Sequence, residues 1–220
     1  DHDEFRLEYQ PKIDARDGRI VGAEALLRWQ SSSLGRVGPD LFIPVAEQTG
    51  LIGRVGKLVI DTAMEQLACW RRRGVALPGL AINISPHQFR AGSVVCELRD
   101  TLERLALDPT GITVEITEGV LMEPTEQVLR TLGALHELGV RVSVDDFGTG
   151  YSSLAYLHRY PIDELKIDKG FVDGMGSEAE DSTITRAIIS MGRSLGVDLV
   201  AEGVETAEQV AALAEAGCHT

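Results

Sequence analysis

Short apolar runs alternate with longer amphipathic runs along this chain, and that order constrains the fold more than any other feature of the sequence. The apolar runs have the length and composition of strands, and they occupy residues 80–84, 112–116, 140–144, 163–167 and 197–201. Predicted helices follow most of them, at residues 94–105, 125–138, 181–195 and 206–216. Strands that alternate with helices predict a parallel sheet covered by helices.

The beginning of the chain predicts a different local arrangement. Residues 5–13 and 19–28 have strand patterns and are joined by a turn around Asp17-Gly18, so we expect them to pair in antiparallel fashion. Two helices are expected at residues 40–49 and 56–73. Helix ends are marked by an N-cap at Ser85, by a capping box of Thr206 and Gln209, and by the stop signals Gly139, Gly196 and Gly217.

Polar residues near the strand ends distinguish an open doubly wound sheet from a closed barrel. Because side chains alternate faces along a strand, one polar residue after another is predicted to lie opposite the apolar face. This set is Glu24, Asn83, Glu115, Asp145, Asp146, Lys166, Asp168 and Glu202. An open sheet would spread these groups along a line at ~4.8 Å per strand, whereas a barrel gathers them at its C-terminal mouth. We therefore predict an α/β fold, a TIM-like (β/α)₈ barrel with an antiparallel strand near its start.

The pattern contains seven strands, and the chain stops where an eighth would begin, so we expect the C-terminal strand of the barrel to be missing from this chain. Residues 1–220 are expected to form a single domain that is truncated at its C-terminus. Because the first residue is Asp1 and not Met, the domain is expected to be excised from a larger multidomain protein.

Composition limits the partners and the compartment. The formal net charge of −13 argues against binding to a nucleic acid polymer, since such binding depends on Lys and Arg contacts to phosphate. An odd, sparse set of three cysteines is typical of a reducing compartment. The sequence contains neither a signal-peptide pattern nor an apolar run near the ~20 residues that span a bilayer. We expect a cytoplasmic domain, whose parent protein can still be anchored in a membrane.

The polar set indicates a metal-dependent hydrolase. Carboxylate and amide oxygens are the ligands that Mg²⁺ and Mn²⁺ prefer, and their number suggests two ions, which would stabilise an in-line phosphoryl displacement. Lys166 would stabilise charge at the nucleophile or phosphate, and Arg28 could bind a phosphate oxygen. Each residue taken alone has a plainer interpretation: a strand-end acid is often solvated, Asn83 could cap a helix, and Lys166 could be a structural ion-pair partner. The combination favours a site.

Ordered sequence blocks along the chain are similar to those of the EAL domain family. They are residues 24–29 (EALLRW), 42–47 (FIPVAE), 83–85 (NIS), 115–118 (EITE), 145–150 (DDFGTG), 166–168 (KID) and 201–206 (AEGVET). The resemblance covers nearly the whole chain and implies a cyclic-guanylate-specific phosphodiesterase. Such an enzyme hydrolyses cyclic di-GMP to linear pGpG and lowers the level of this bacterial second messenger, with Mg²⁺ or Mn²⁺ as cofactor.

The resemblance also implies roles for individual residues. Ligands of the two ions would be Glu24, Asn83, Glu115, Asp145, Asp146 and Glu202, and catalytic roles would fall to Lys166 and Glu202. Substrate contacts are expected at Gln10, Leu27, Arg28, Asp168 and Glu205. Glu118 would anchor the glycine-rich loop that begins at Phe147, Gly148, Thr149 and Gly150.

The resemblance further implies a homodimer and fusion to sensor or diguanylate cyclase domains. The chain departs from the family pattern at its end, because it stops before the Gln-Gly segment expected after Cys218. A non-catalytic receptor for cyclic di-GMP is the alternative function, although receptors of this kind usually lose acidic ligands and none is lost here. An unrelated barrel metallohydrolase is a third, weaker possibility.

Overall fold

A hairpin of two long strands opens the fold. The computed structural model describes residues 4–122, 125–148, 160–175 and 180–220. Strands β1 (Phe5–Ile13) and β2 (Ile20–Ser31) pair in antiparallel fashion, which confirms the predicted hairpin. A short strand, β3 (Gly35–Val37), pairs with the end of β2. With only three residues, β3 is too short to show the alternation by which a strand is predicted.

Five parallel strands follow, each close to its predicted position. They are β4 (Leu80–Asn83), β5 (Ile112–Thr117), β6 (Arg141–Phe147), β7 (Glu164–Ile167) and β8 (Asp198–Ala201). The order along the sheet is β1-β2-β4-β5-β6-β7-β8. Every neighbouring pair from β2 to β8 is parallel, so the carboxyl ends of these strands share one edge.

Helices connect the strands and cover the outer face of the sheet. They are α1 (Pro39–Gln48), α2 (Ile52–Arg72), α3 (Pro86–Ala91), α4 (Ser93–Leu105), α5 (Glu118–Met122), α6 (Glu126–Leu138), α7 (Lys169–Val172), α8 (Glu180–Leu195) and α9 (Ala207–Ala216). The capping box of Thr206 and Gln209 begins α9 as predicted, and Gly139 ends α6 in the left-handed conformation with φ 84°. Helix α2 begins earlier than its pattern predicts, because Ile52 is buried and extends the apolar face.

Ion pairs across the interior show that the sheet curls on itself. Lys12 lies on β1 and Glu164 on β7, five steps along the sheet, a separation of ~24 Å in a flat sheet. Their side chains nevertheless meet, with Lys12 Nζ 2.9 Å from Glu164 Oε1. In the same way Lys166 Nζ on β7 lies 3.2 Å from Glu24 Oε2 on β2. The predicted TIM-like α/β barrel with an antiparallel start is confirmed.

The last residues of the chain lie beside both end strands of the sheet. The backbone N–H of Ala201, at the end of β8, donates to the carbonyl oxygen of Thr220 at 2.8 Å. The N–H of Ala15, just after β1, donates to the carbonyl oxygen of His219 at 2.7 Å. Residues 219 and 220 therefore bridge the two end strands by backbone hydrogen bonds.

An apolar layer between sheet and helices holds the barrel together. Alternate strand residues such as Ile82, Val114 and Leu165 are fully buried against helix residues such as Leu67 and Leu132. Since one strand face is used by this layer, the other face is free to carry polar side chains into the barrel. In the described part of the chain, no helix combines the length and apolar character needed to cross a lipid bilayer.

Candidate active site at the barrel mouth

Four carboxylates surround one lysine at the C-terminal mouth of the barrel. Lys166 Nζ lies 2.8 Å from Glu115 Oε2 and 3.2 Å from Glu24 Oε2. The same nitrogen lies 3.2 Å from Asp145 Oδ1 and 2.5 Å from Glu202 Oε1. The carboxylates come from β2, β5, β6 and the residue after β8, so groups far apart in the sequence converge as the alternation of the strands predicts.

Asn83 belongs to the same cluster. Its amide Nδ2 donates to Glu24 Oε1 at 2.6 Å. The nearby helix α3 is capped instead by Ser85, whose side chain accepts from the backbone N–H of Gln88. The structure therefore gives the capping role to Ser85 and leaves the Asn83 side chain at the mouth.

A β-bulge in β6 places two consecutive aspartates at the rim. Val144 pairs with Leu165, but Phe147 pairs with Ile167, so β6 contains one extra residue between these pairs. Asp146 still belongs to β6, because this strand continues to Phe147. Asp146 turns from the regular strand direction through a left-handed backbone with φ 54°, which lets both carboxylates face the same region.

Burial and mutual repulsion keep several of these acids from ionising easily. Burial, followed by the charge of Glu115, raises the pKa of Glu24 to about 7. Burial also raises the pKa of Glu202, against the opposing effect of Lys166. The pKa of Asp146 is raised by burial and by the neighbouring Asp145 and Asp168. Further positive charge at the mouth would relieve this repulsion.

The electrostatic environment of the two interior lysines, Lys166 and Lys12, favours their charged form. Burial disfavours the charge of Lys166, but Glu115, Asp145, Glu24 and Glu202 outweigh it and raise the pKa of the ammonium. Lys12 is not among the residues singled out from sequence, yet its Nζ contacts Glu115 Oε1 at 3.0 Å and Glu164 Oε1 at 2.9 Å. Its position two residues after Gln10, on the same strand face, is the signal that could have revealed it.

A cavity of about 720 Å³ opens beside the cluster, and its lining includes Gln10, Glu24, Asp145, Lys166 and Glu202. This volume lies within the range of small-molecule binding sites in proteins. The cavity therefore reaches three of the four carboxylates that surround Lys166.

The predicted substrate-contact residues differ in where their side chains lie relative to the cavity. Gln10 lines the cavity and lies opposite Glu24 in the β1–β2 ladder. Arg28 Nε donates to Glu8 Oε2 at 2.9 Å, on the same face of β2 as Glu24. Leu27 pairs with Leu7, and since adjacent residues face opposite ways, its side chain points away from the cavity. A substrate contact by Leu27 stays a prediction that this geometry does not support.

Asp168 and Glu205 lie at the rim in structural contacts. Asp168 follows β7 and caps α7 by accepting from the backbone N–H of Gly170 at 2.9 Å. Glu205 forms an ion pair with Lys169, a residue of the cavity lining that sequence analysis does not single out. Both acids are therefore held in place next to the cavity.

Glu118 contacts the segment after the two aspartates, as expected of a loop anchor. Its Oε2 accepts from the backbone N–H of Gly148 at 3.1 Å, and Phe147 beside it is buried. The other two residues predicted for this loop, Thr149 and Gly150, lie outside the described residues.

The donor set suits a hard divalent cation. Among the described residues, no three His, Cys, Asp or Glu side chains already stand as a metal-ligand group, and the Lys166 ammonium lies where their oxygens converge. A position that lies within 3.2 Å of four different carboxylates is nonetheless one that favours positive charge. All the donors are oxygens, as Mg²⁺ and Mn²⁺ prefer.

Comparison with protein families identifies the class of this domain. The model of the EAL domain family matches residues 1–220, and the chain belongs to that family. The bifunctional diguanylate cyclase/cyclic di-GMP phosphodiesterase MucR of Pseudomonas aeruginosa is 43% identical over 214 residues, which are 97% of this chain and 31% of MucR. The oxygen sensor protein DosP of Escherichia coli is 41% identical over 218 residues, 99% of this chain and 27% of DosP. The chain thus spans less than a third of the length of either relative.

A solved structure agrees with the fold. The PaMucR phosphodiesterase in complex with cyclic di-GMP superposes with a TM-score of 0.93 at 42% identity. The alignment covers 99% of this chain and 88% of the PaMucR chain. Nearly the whole of this chain therefore shares the fold of the PaMucR EAL domain.

Proposed function

We propose that this chain is a phosphodiesterase that hydrolyses cyclic di-GMP to linear pGpG with the help of two divalent ions, Mg²⁺ or Mn²⁺. The observation that carries the proposal is the convergence of Glu24, Glu115, Asp145 and Glu202 on one point beside a cavity. The name of MucR and the cyclic di-GMP complex of PaMucR give further support.

The residues that would hold the ions are those that the resemblance to the EAL domain family implies. Glu24, Asn83, Glu115 and Asp145 would hold one ion, and Asp145, Asp146 and Glu202 would hold the other. Bound in this way, the ions would stabilise charge on the phosphoryl oxygens and lower the pKa of a water molecule.

The remaining polar residues would act on the substrate directly. Lys166 keeps its proton and carries a positive charge into the mouth, where it would stabilise the negative charge that develops on the phosphate. The planar guanidinium of Arg28 would bind a non-bridging phosphate oxygen. Glu202 borders the cavity and would accept a proton from the attacking water. Gln10 would contact the ligand from the β1 side.

A turnover assay tests this proposal. We expect the chain to convert cyclic di-GMP to pGpG with Mg²⁺ or Mn²⁺, as followed by chromatography of the nucleotides. Glu24→Ala and Glu202→Ala should each lower kcat by at least ~100-fold while the variants stay folded, since each removes a charge-stabilising group from the mouth. Glu103→Ala, on the exposed face of α4, is the matched control and should keep full activity.

Two outcomes would contradict the proposal. Absence of pGpG with either ion, together with tight binding of cyclic di-GMP, would make the domain a receptor that binds without cutting. Hydrolysis of another phosphoester in preference to cyclic di-GMP would point to a different barrel metallohydrolase.

We also propose that the domain works as a homodimer and as one part of a longer signalling protein with sensor or diguanylate cyclase domains. The support for a longer protein is the share of 31% and 27% that the chain covers in MucR and DosP. The homodimer is what the resemblance to the EAL domain family implies. A cytoplasmic location stays a prediction from the sequence, and the three cysteines, which form no disulfide, agree with a reducing compartment.

A further inference from the structure

Two lysines hold the buried carboxylate of Glu115 from opposite sides. Lys166 Nζ donates to its Oε2 at 2.8 Å, and Lys12 Nζ donates to its Oε1 at 3.0 Å. The Glu115 side chain has no exposed surface, so its orientation is set by these two partners. Each carboxylate oxygen of Glu115 therefore accepts a hydrogen bond from a different lysine.

Lys12 approaches Glu115 from below the mouth. Its second partner is Glu164, with Lys12 Nζ 2.9 Å from Glu164 Oε1. Glu164 precedes Lys166 by two residues on the same face of β7, which places it ~7 Å deeper in the barrel. The Lys12 side chain is 12% exposed and that of Glu164 is 9% exposed, so both groups lie in the barrel interior.

A cation at the mouth would affect the hydrogen bonds of the two lysines differently. Lys166 contacts four carboxylates there and would compete with the cation for the same oxygens. Among the described residues, the side chain of Lys12 pairs with Glu115 Oε1 and with the deeper Glu164, so its hydrogen bonds can persist when Glu115 Oε2 turns to a metal ion.

We propose that Lys12 is a positioning residue that holds Glu115 through Oε1 and so keeps Oε2 directed at the divalent ions of the mouth. The inference rests on the proposed function, in which Glu115 is a metal ligand. Hydrogen-bonding partners behind a metal ligand fix its orientation, and their loss typically weakens metal affinity by about 10- to 100-fold.

Titration of the full chain with Mn²⁺ alone, followed by calorimetry or by the spin resonance of free Mn²⁺, tests the proposal. Lys12→Met should raise the Kd for Mn²⁺ by about 10- to 100-fold. The double variant Lys12→Met/Glu164→Gln removes the charge pair as a whole, so that no buried carboxylate is left uncompensated, and it should show the same loss. Lys57→Met is the matched control, because Lys57 pairs with Asp61 on the surface of α2, and it should bind Mn²⁺ as the unchanged chain does.

Glu164→Gln alone separates positioning from a purely structural role. It removes an ion pair from the same layer but leaves Lys12 bonded to Glu115, so the Kd for Mn²⁺ should stay unchanged even if the melting temperature falls. Equal effects of Glu164→Gln and Lys12→Met on the Kd, or no effect of Lys12→Met, would overturn the inference while leaving the proposed function intact. Failure of the unchanged chain to bind Mn²⁺ would overturn both.

Discussion

The ammonium of Lys166 lies between carboxylates that come from different strands of the barrel. Its pKa is raised by Glu115, Asp145, Glu24 and Glu202 even though burial opposes the charge. In the absence of divalent ions, Lys166 is therefore the main countercharge of the mouth. Removal of one partner from a buried ion pair leaves the other charge uncompensated, which costs more than the pair contributes.

Lys166→Met should for this reason destabilise the domain by about 3 kcal/mol when no divalent ion is present. Added Mn²⁺ should raise the melting temperature of this variant more than that of the unchanged chain, because no ammonium competes for the same oxygens. Thermal unfolding with and without Mn²⁺ measures both effects. A variant that is as stable as the parent without ions, or that gains nothing from Mn²⁺, would contradict this assignment.

The cysteines offer a test of burial at the end of the chain. Burial raises the pKa of the Cys218 thiol to about 11, whereas Cys96 is exposed on α4. At pH 8 only roughly one Cys218 in a thousand would be the reactive thiolate. We expect iodoacetamide to label Cys96 first and Cys218 only after unfolding in guanidinium, as read by mass spectrometry of the peptides. Equal labelling rates of Cys96 and Cys218 in the folded protein would show that the Cys218 thiol is accessible to solvent.

Sequence reasoning identified most residues of the mouth for a simple physical reason. Glu115 and Lys166 are charged residues with an apolar residue on either side, and the alternation of faces predicts that they point into the barrel. Lys12 was harder to recognise, because its strand is antiparallel to the others and most of its residues are polar or half-buried. Its proposed role depends on Glu115, a partner far away in the chain that the closed barrel brings near.

At the scale of single elements, the irregular end of β6 positions the two aspartates. The extra residue between Val144 and Phe147 lets both of these apolar side chains be buried while Asp145 and Asp146 face the mouth. A bulge depends on the register of the neighbouring strand, so the sequence of β6 alone predicts a regular strand end followed by a loop. The backbone then turns at Gly148 with φ 100°.

Gly148→Ala tests this turn. A Cβ at this position would lie 2.8 Å from Phe171 Cε2 and 3.1 Å from Ile188 Cδ1, and the backbone conformation is unfavourable for any residue but glycine. We expect a loss of about 2 kcal/mol in the free energy of unfolding, measured by urea denaturation.

Gly133→Ala is the matched control for this substitution. Gly133 lies within α6 with no atom within 4 Å of an added Cβ. Alanine there should stabilise the domain by about 0.5–1 kcal/mol, because glycine is the poorer helix former. A Gly148→Ala variant that is as stable as the unchanged chain, or that is stabilised as Gly133→Ala should be, would contradict the strained turn at Gly148.

For the whole molecule, the order of strands and helices predicts a parallel sheet covered by helices, and the polar strand ends predict that this sheet closes into a barrel. The polar strand ends can share one mouth only if the sheet closes. The contact of Lys166 with Glu24 across the interior confirms this closure. The short elements β3, α5 and α7 escape such a prediction, because three to five residues are too few to show a period. They are set by the longer elements on either side.

The central claim is that acidic side chains from separate strands hold divalent cations at one mouth of the barrel. The anomalous scattering of Mn²⁺ in crystals of the domain grown with that ion measures this directly. We predict two peaks roughly 3.5–4 Å apart, one in contact with Glu24, Asn83, Glu115 and Asp145 and the other with Asp145, Asp146 and Glu202. An empty mouth at saturating Mn²⁺, or peaks bound only by residues elsewhere on the surface, would contradict it.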